Sequence, residues 1–318
     1  MDTVNVTPLD QARTPTMPVY PSLRRNIALA AAVALFLGVG VAFLLAFLDR
    51  SVKTLEDVQV AVQAPVLGII PMLSEPEVPG HDEKGRDLYV YEHPTSRVAE
   101  CCRSIRTNIL FSGADRPLKT MVVSSPNPRE GKTTSVIYLG TIMAQSGQSV
   151  LLVDSDMRRP RLHQSLGVPR QVGLSNLILG EVDYAEAIKR TSIPNVYVLP
   201  CGPLPPNPAE LLMSKRFEHV LEELGGRFDR ILLDSPPLQA VTDAVVLSLN
   251  ADGVIVVVKA GKTLRDDVSR SVRQVTAVGR PVVGVILNEL DLEERHGYAY
   301  YSYYAAYGKD SQEPEAAT

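Results

Sequence analysis

Six apolar runs, Met121–Ser124, Val150–Val153, Val196–Leu199, Ile231–Leu233, Val254–Val258 and Val282–Leu287, follow one another along the chain with helical patterns between them. They are rich in Val, Ile and Leu and lack the polar–apolar alternation of a strand with one face in water. Runs of this kind require burial on both faces. Strand and helix repeated in this order predict an α/β fold with a doubly wound, mostly parallel sheet. In such sheets ligands bind beyond the carboxyl ends of the strands.

The residues suited to chemistry fall at those ends. Ser125-Pro126-Asn127-Pro128-Arg129-Glu130-Gly131-Lys132-Thr133-Thr134 follows the first run and opens a helical stretch. The context is that of a phosphate loop of P-loop NTPase type. Backbone N–H groups surround the phosphates, Lys132 offers a point charge to the β and γ groups, and Thr133 is placed to ligate magnesium. Pro126 stands where the generic G-x-x-x-x-G-K-[ST] pattern has its first glycine. Two more runs end in carboxylates. Leu151-Leu152-Val153-Asp154-Ser155-Asp156-Met157-Arg158 places two aspartates on opposite sides of the pleat if the strand continues, one for a metal and one for an acceptor. Ile231-Leu232-Leu233-Asp234-Ser235-Pro236-Pro237 has the form of a Walker B motif. Aspartate also caps helices after strands. Three such signals nonetheless converge on one crevice.

Other segments set the organisation. Ile27–Leu48 is 22 residues without a charge, and about 20 suffice to cross a bilayer core, so a transmembrane helix is predicted. It starts too late and runs too long for a cleaved signal. Arg13, Arg24 and Arg25 before it and Arg50 and Lys53 after it leave orientation undecided by charge. An ATP site would put the C-terminal part in the cytoplasm. The expected division is a proline-bearing extracytoplasmic segment at 1–25, the transmembrane helix at 26–48, a cytoplasmic linker at 49–95, the folded domain at 96–296 and a tyrosine-rich tail at 297–318. Within the linker, Val52–Pro71 reads as a short amphipathic or extended connector and Ser74–Pro94 as a charged, mobile stretch. A net charge of -4 and a pI near 5.8 argue against a dedicated nucleic-acid binder. Cys101, Cys102 and Cys201 offer neither a disulfide framework nor zinc-ligand spacing. Tyr298, Tyr300, Tyr301, Tyr303, Tyr304 and Tyr307 have no period that would bury so many rings, and read as substrate rather than core. The alternative is an aromatic patch for a partner.

Taken together these motifs resemble the bacterial tyrosine kinases of capsule and exopolysaccharide synthesis, with a degenerate Walker A loop, an apolar-Asp-x-Asp-x-Arg "A-prime" motif and a Walker B. Glu100-Cys101-Cys102-Arg103-Ser104-Ile105-Arg106, Gly202-Pro203-Leu204-Pro205-Pro206-Asn207-Pro208 and Thr242-Asp243-Ala244 match as well. The family usually has glycine where this chain has Arg129. The resemblance implies ATP and Mg2+ as cofactors, with Glu130, Gly131, Lys132, Thr133 and Thr134 at the phosphates. Thr133, Asp156 and Asp234 would serve the metal, and Asp154 would face the acceptor hydroxyl as base. Spacing leaves open which aspartate plays which part. Asn288 resembles the residue that contacts adenine in related ATPases, a turn-forming asparagine being the other reading. The tyrosine cluster corresponds to the family's autophosphorylation site. Glu100, Arg103 and Arg106 match its E-x-x-R-x-x-R contact in a ring-like homo-oligomer, with a solvated Glu–Arg pair as the plain alternative. A chain-length-determinant membrane module or other export components, and a cognate tyrosine phosphatase, are the implied partners. The module would come from a longer form of the chain or from another polypeptide. A rival reading is a membrane-associated, ParA/MinD-like switch ATPase. Such proteins carry a second lysine near the start of the loop, and none lies between Ser124 and Gly131. A catalytically weak scaffold is a third.

Overall fold

A computed structural model describes residue 20 and residues 22–62, 64–73, 83–113 and 117–291. The chain divides into two units, one up to Arg50 and one from Ser51. The first contains helix α1 (Leu23–Leu48), in which an 18-residue window within Leu23–Leu45 has a mean hydropathy of 2.7 and is 0% buried. Its 26 residues span roughly 39 Å at about 1.5 Å per residue, more than the ~30 Å of a bilayer core. The helix opens a turn before the charge-free stretch, so Arg24 and Arg25 lie inside it.

In the second unit the strands are β1 (Val66–Pro71), β2 (Thr120–Ser124), β3 (Val150–Asp154), β4 (Lys189–Arg190), β5 (Val196–Leu199), β6 (Arg230–Asp234), β7 (Gly253–Lys259) and β8 (Val282–Leu290). The helices are α2 (Leu55–Ala61), α3 (Glu83–Glu92), α4 (Arg97–Ser112), α5 (Lys132–Gln145), α6 (Leu162–Ser165), α7 (Leu174–Leu179), α8 (Tyr184–Ala187), α9 (Pro208–Leu212), α10 (Lys215–Arg227), α11 (Asp243–Leu249) and α12 (Arg265–Ala277). The strands form one sheet in the order β1-β8-β7-β2-β6-β3-β5-β4, parallel throughout except for β4 against β5. All six apolar runs are strands of it. Their side chains alternate between two cores, so Val122, Leu151 and Val153 pack with α2, α7, α10, α11 and α12. Met121, Val123 and Leu152 pack instead with α3, α4 and α5. Both faces are buried, which is why the runs show no alternation in sequence.

Residues 49–95, expected to be a linker, are largely built into this unit. Val52 exchanges backbone hydrogen bonds with Thr263 and Gly261, each 2.8 Å. Thr54 and Asp57 form a capping box at the start of α2, and Arg265 reaches Asp57 at 2.6 Å. β1 completes the sheet edge against β8, with Leu67, Ile69 and Ile70 buried. Gly68 and Pro71 disguised the strand, yet both are tolerated at an edge. At Gly68 a Cβ would meet Ile105 Cγ1 of α4 at 2.7 Å, so the glycine allows the close approach of that helix. Asn108 of α4 also donates to the Leu67 carbonyl at 2.7 Å.

Candidate active site

The sheet order places β6 between β2 and β3, with Asp154 and Asp234 in register as neighbours. The phosphate loop leaves β2 on the same edge and runs into α5, capped by Gly131 at φ 89°. A Cβ there would lie 2.0 Å from Asn288 Nδ2, so only glycine fits. Lys132 Nζ reaches Asp156 Oδ2 at 3.0 Å and Asp234 Oδ1 at 3.5 Å. The Thr133 hydroxyl donates to Asp234 Oδ2 at 2.7 Å. Asp156 Oδ1 accepts the backbone N–H groups of Arg158 and Arg159 at 3.3 and 3.0 Å, which fixes its carboxylate beside the lysine.

Burial pushes the Asp234 carboxyl up to about 6, although the Lys132 ammonium opposes the shift. Burial alone would lower the Lys132 pKa, but the carboxylates of Asp234 and Asp156 outweigh it and hold the ammonium above its ordinary value. The lysine and the aspartates are thus one electrostatic unit. A cavity of about 440 Å³ opens above them, lined among others by Arg129, Lys132, Thr133, Asp156, Arg158 and Arg161.

Several residues expected to contact ATP do other work with their side chains. Glu130 is 1% exposed, and its carboxylate accepts the Asn127 N–H at 2.9 Å and the Thr263 hydroxyl at 2.5 Å. It braces the loop from behind, leaving its backbone for a ligand. Thr134 donates its hydroxyl to Asp87 Oδ1 at 2.6 Å. Asn288 lies in β8 rather than in a turn, and its amide donates to the Glu130 carbonyl at 2.9 Å, so that donor is committed to the loop. Asp154 is 0% exposed, outside the cavity lining, with Oδ2 accepting the Leu162 N–H at the start of α6 at 3.1 Å. Burial raises its carboxyl, and His163 Nδ1 lies 3.9 Å away. The six tail tyrosines lie outside the described residues.

Arg129 sits at φ 64°, a left-handed backbone that favours glycine. Such a conformation costs a side-chain-bearing residue roughly 1–2 kcal/mol. Part of that gain would be lost to the freer unfolded glycine. Arg129→Gly is therefore expected to raise the thermal midpoint by about 2 °C, from ~0.5 kcal/mol net. A lower midpoint in a melting experiment would contradict this account of the loop.

Two polar groups have structural roles that the sequence reading did not assign, one of them within the Thr242-Asp243-Ala244 stretch. Asp243 is wholly buried at the start of α11 and takes Arg158 in a two-pronged pair, Nε–Oδ2 at 2.8 Å and Nη2–Oδ1 at 3.0 Å. Asp87 of α3 is equally buried and lay in the supposed linker. The one available signal was the apolar run Leu88-Tyr89-Val90 directly after it.

Known proteins match this architecture. Residues 119–280 match a family described as an AAA domain. The chain is 35% identical over 216 residues to the tyrosine-protein kinase YwqD of Bacillus subtilis, covering 68% of this chain and 91% of that protein. The chain belongs to the bacterial tyrosine kinase family. Another member, the tyrosine-protein kinase ptk of Acinetobacter johnsonii, is 30% identical over 289 residues, which is 90% of this chain and 39% of its own length. Within the family, the kinase domain of the Escherichia coli tyrosine kinase ETK superposes with a TM-score of 0.70 at 28% identity, over 77% of this chain and 96% of that one. The motifs of this bacterial tyrosine kinase therefore stand on the family's own scaffold.

Proposed function

We propose that this chain is a membrane-anchored protein-tyrosine autokinase that transfers the γ-phosphoryl group of MgATP to the tyrosine block of a neighbouring copy, in control of exopolysaccharide or capsule polymerisation and export. The observation that carries this reading is the cluster of Lys132, Asp156, Asp234 and Thr133, joined by contacts of 2.7–3.5 Å at the strand ends. The donor set fits the group it would hold. Magnesium takes hard oxygen ligands, keeps waters, and relies on one or two carboxylates plus substrate phosphates rather than a protein cage. Among the described residues no three His, Cys, Asp or Glu side chains converge on one point. Thr133, Asp156 and Asp234 supply the few oxygens such a site needs.

When bound, the magnesium ion would neutralise charge on the phosphate oxygens. Lys132 and the N–H groups at the start of α5 would hold those oxygens in place. Acceleration comes mostly from positioning and charge stabilisation. A phenol with pKa near 10 loses its proton late, so a carboxylate mainly orients it. For Asp154 to serve as that base, the acceptor has to reach Oδ1, the buried oxygen without a partner, because Oδ2 is held by the Leu162 N–H at the start of α6. Asp156 is the aspartate that lines the cavity.

α1 would anchor the chain in the inner membrane in a single pass, with the kinase unit in the cytoplasm where ATP is found. Glu100, Arg103 and Arg106 of α4 would form the contact of a ring-like oligomer. In the single chain Arg103 pairs with Glu100 and the Pro94 carbonyl, and Arg106 Nη1 lies 3.4 Å from the Ile142 carbonyl. Ring formation would exchange these partners. Phosphates on several tails add about -1.5 to -2 charges each and would loosen the ring. A chain-length-determinant module and a tyrosine phosphatase complete the proposed cycle. Arg103→Ala with Arg106→Ala is expected to reduce the assembly mass in light scattering; an unchanged mass would remove α4 from the interface.

Incubating the purified chain with MgATP and detecting phosphotyrosine tests the function itself. Tyrosine phosphate that depends on MgATP supports it. ATP turnover without tyrosine phosphate would point to the switch ATPase, and neither signal would point to a scaffold.

A further inference from the structure

Asp87 accepts hydrogen bonds from three side chains on two separate segments. Oδ1 takes the Thr134 hydroxyl of α5 at 2.6 Å, while Oδ2 takes Arg161 Nη2 at 2.6 Å and the Ser165 hydroxyl of α6 at 2.5 Å. The side chain is 0% exposed. Its neighbours on α3, Leu88, Tyr89 and Val90, are buried apolar residues that pack into the core shared with α4 and α5. A buried carboxylate carries a desolvation penalty that an apolar residue in its place would avoid. The donors it gathers are not random, since Thr134 adjoins Thr133 in the first turn of α5 and Arg161 lines the cavity with Lys132 and Asp156.

From this we infer that Asp87 is a positioning residue for phosphoryl transfer, clamping Arg161 at the edge of the cavity and tying that guanidinium to the first turn of α5. The inference rests on the cavity being the site of MgATP and acceptor. Arginine presents five N–H donors in a rigid fork. Asp87 holds one amino group, with Glu83 Oε2 at 3.6 Å from the same nitrogen. The rest of the fork is left for negative charge within the cavity, and charge on the transferring phosphoryl group is what a fixed guanidinium stabilises. Without its carboxylate the guanidinium swings on a long flexible stem. Transition-state stabilisation then falls, while ground-state nucleotide binding, shared among Lys132 and the loop N–H groups, is largely kept.

The test compares Asp87→Asn, Arg161→Gln and the double variant in the detergent-solubilised full chain. The readouts are kcat and KM for MgATP in phosphotyrosine formation, together with nucleotide affinity from equilibrium titration with a fluorescent ADP analogue. Each single variant is expected to lower kcat about tenfold and to change nucleotide affinity less than about threefold. The double variant should lose no more than the worse single one, because Asp87 acts through Arg161. Multiplicative losses in the double variant, or losses confined to affinity, would overturn the inference. Should Asp87→Asn fail to fold, Arg161→Gln decides alone, its side chain being a third exposed. Unchanged kcat there would sink the role of Asp87 even if the wild type is an active kinase. A wild type that makes no phosphotyrosine would sink the kinase reading first, and this one with it.

Discussion

Lys132→Met is expected to lower tyrosine phosphorylation by about 10³-fold, the scale of removing a preorganised charge from a developing anion. The ammonium is 13% exposed and has two carboxylates within 3.5 Å. Lys132 is therefore held at the point where the phosphate loop meets the carboxyl ends of β3 and β6. Methionine keeps the length of the side chain and removes the charge. The substitution also leaves Asp156 and Asp234 without their common cation, which costs about 3 kcal/mol for a broken buried pair. In a unit of this size that lowers the melting midpoint by about 10 °C. Chemistry and folding are separable: circular dichroism and melting report the second, phosphotyrosine detection at a temperature where the variant is folded reports the first. Persistent tail labelling in Lys132→Met preparations free of other kinases would refute the assignment of this lysine.

Replacing Tyr298, Tyr300, Tyr301, Tyr303, Tyr304 and Tyr307 by phenylalanine is expected to bring autophosphorylation to background while nucleotide affinity stays at the wild-type value. Each change removes one hydroxyl and keeps the ring, so any role of the block as an aromatic patch survives. The lysine, threonine and aspartates of the described site come from α5 and from the ends of β3 and β6. Mixing the phenylalanine variant with Lys132→Met chains sharpens the result. Label on the lysine-deficient chain would establish transfer between copies. Label retained on the phenylalanine variant alone, at residues before 298, would show that the acceptor lies elsewhere, and mass spectrometry would locate it.

The helices nearest the site show how sequence and fold divide the information. α5 opens with the Gly131-Lys132-Thr133 signature and was expected as a helix with its functions attached. α3 was expected to be part of a mobile stretch, because Glu83, Lys84, Arg86 and Asp87 make it look solvated. Its buried face exists only once α5 and α6 stand opposite to receive it. β1 was missed for a related reason: six residues containing Gly68 and Pro71 form a strand only when β8 offers an edge. Local pattern carries no record of a partner 200 residues away.

By itself the sequence determined the layered α/β plan, the phosphate loop after β2 and the aspartates at the ends of β3 and β6, because burial on both faces and the chemistry of phosphate binding each write a short-range pattern. The tertiary structure alone decided which of those polar side chains face the cavity. Glu130, Thr134, Asn288 and Asp154 turn away because the order β7-β2-β6-β3 and the helices above it bring their hydrogen-bond partners within reach. A buried polar group satisfies the partner that folding supplies, and that partner is set by the whole sheet rather than by neighbours in the chain.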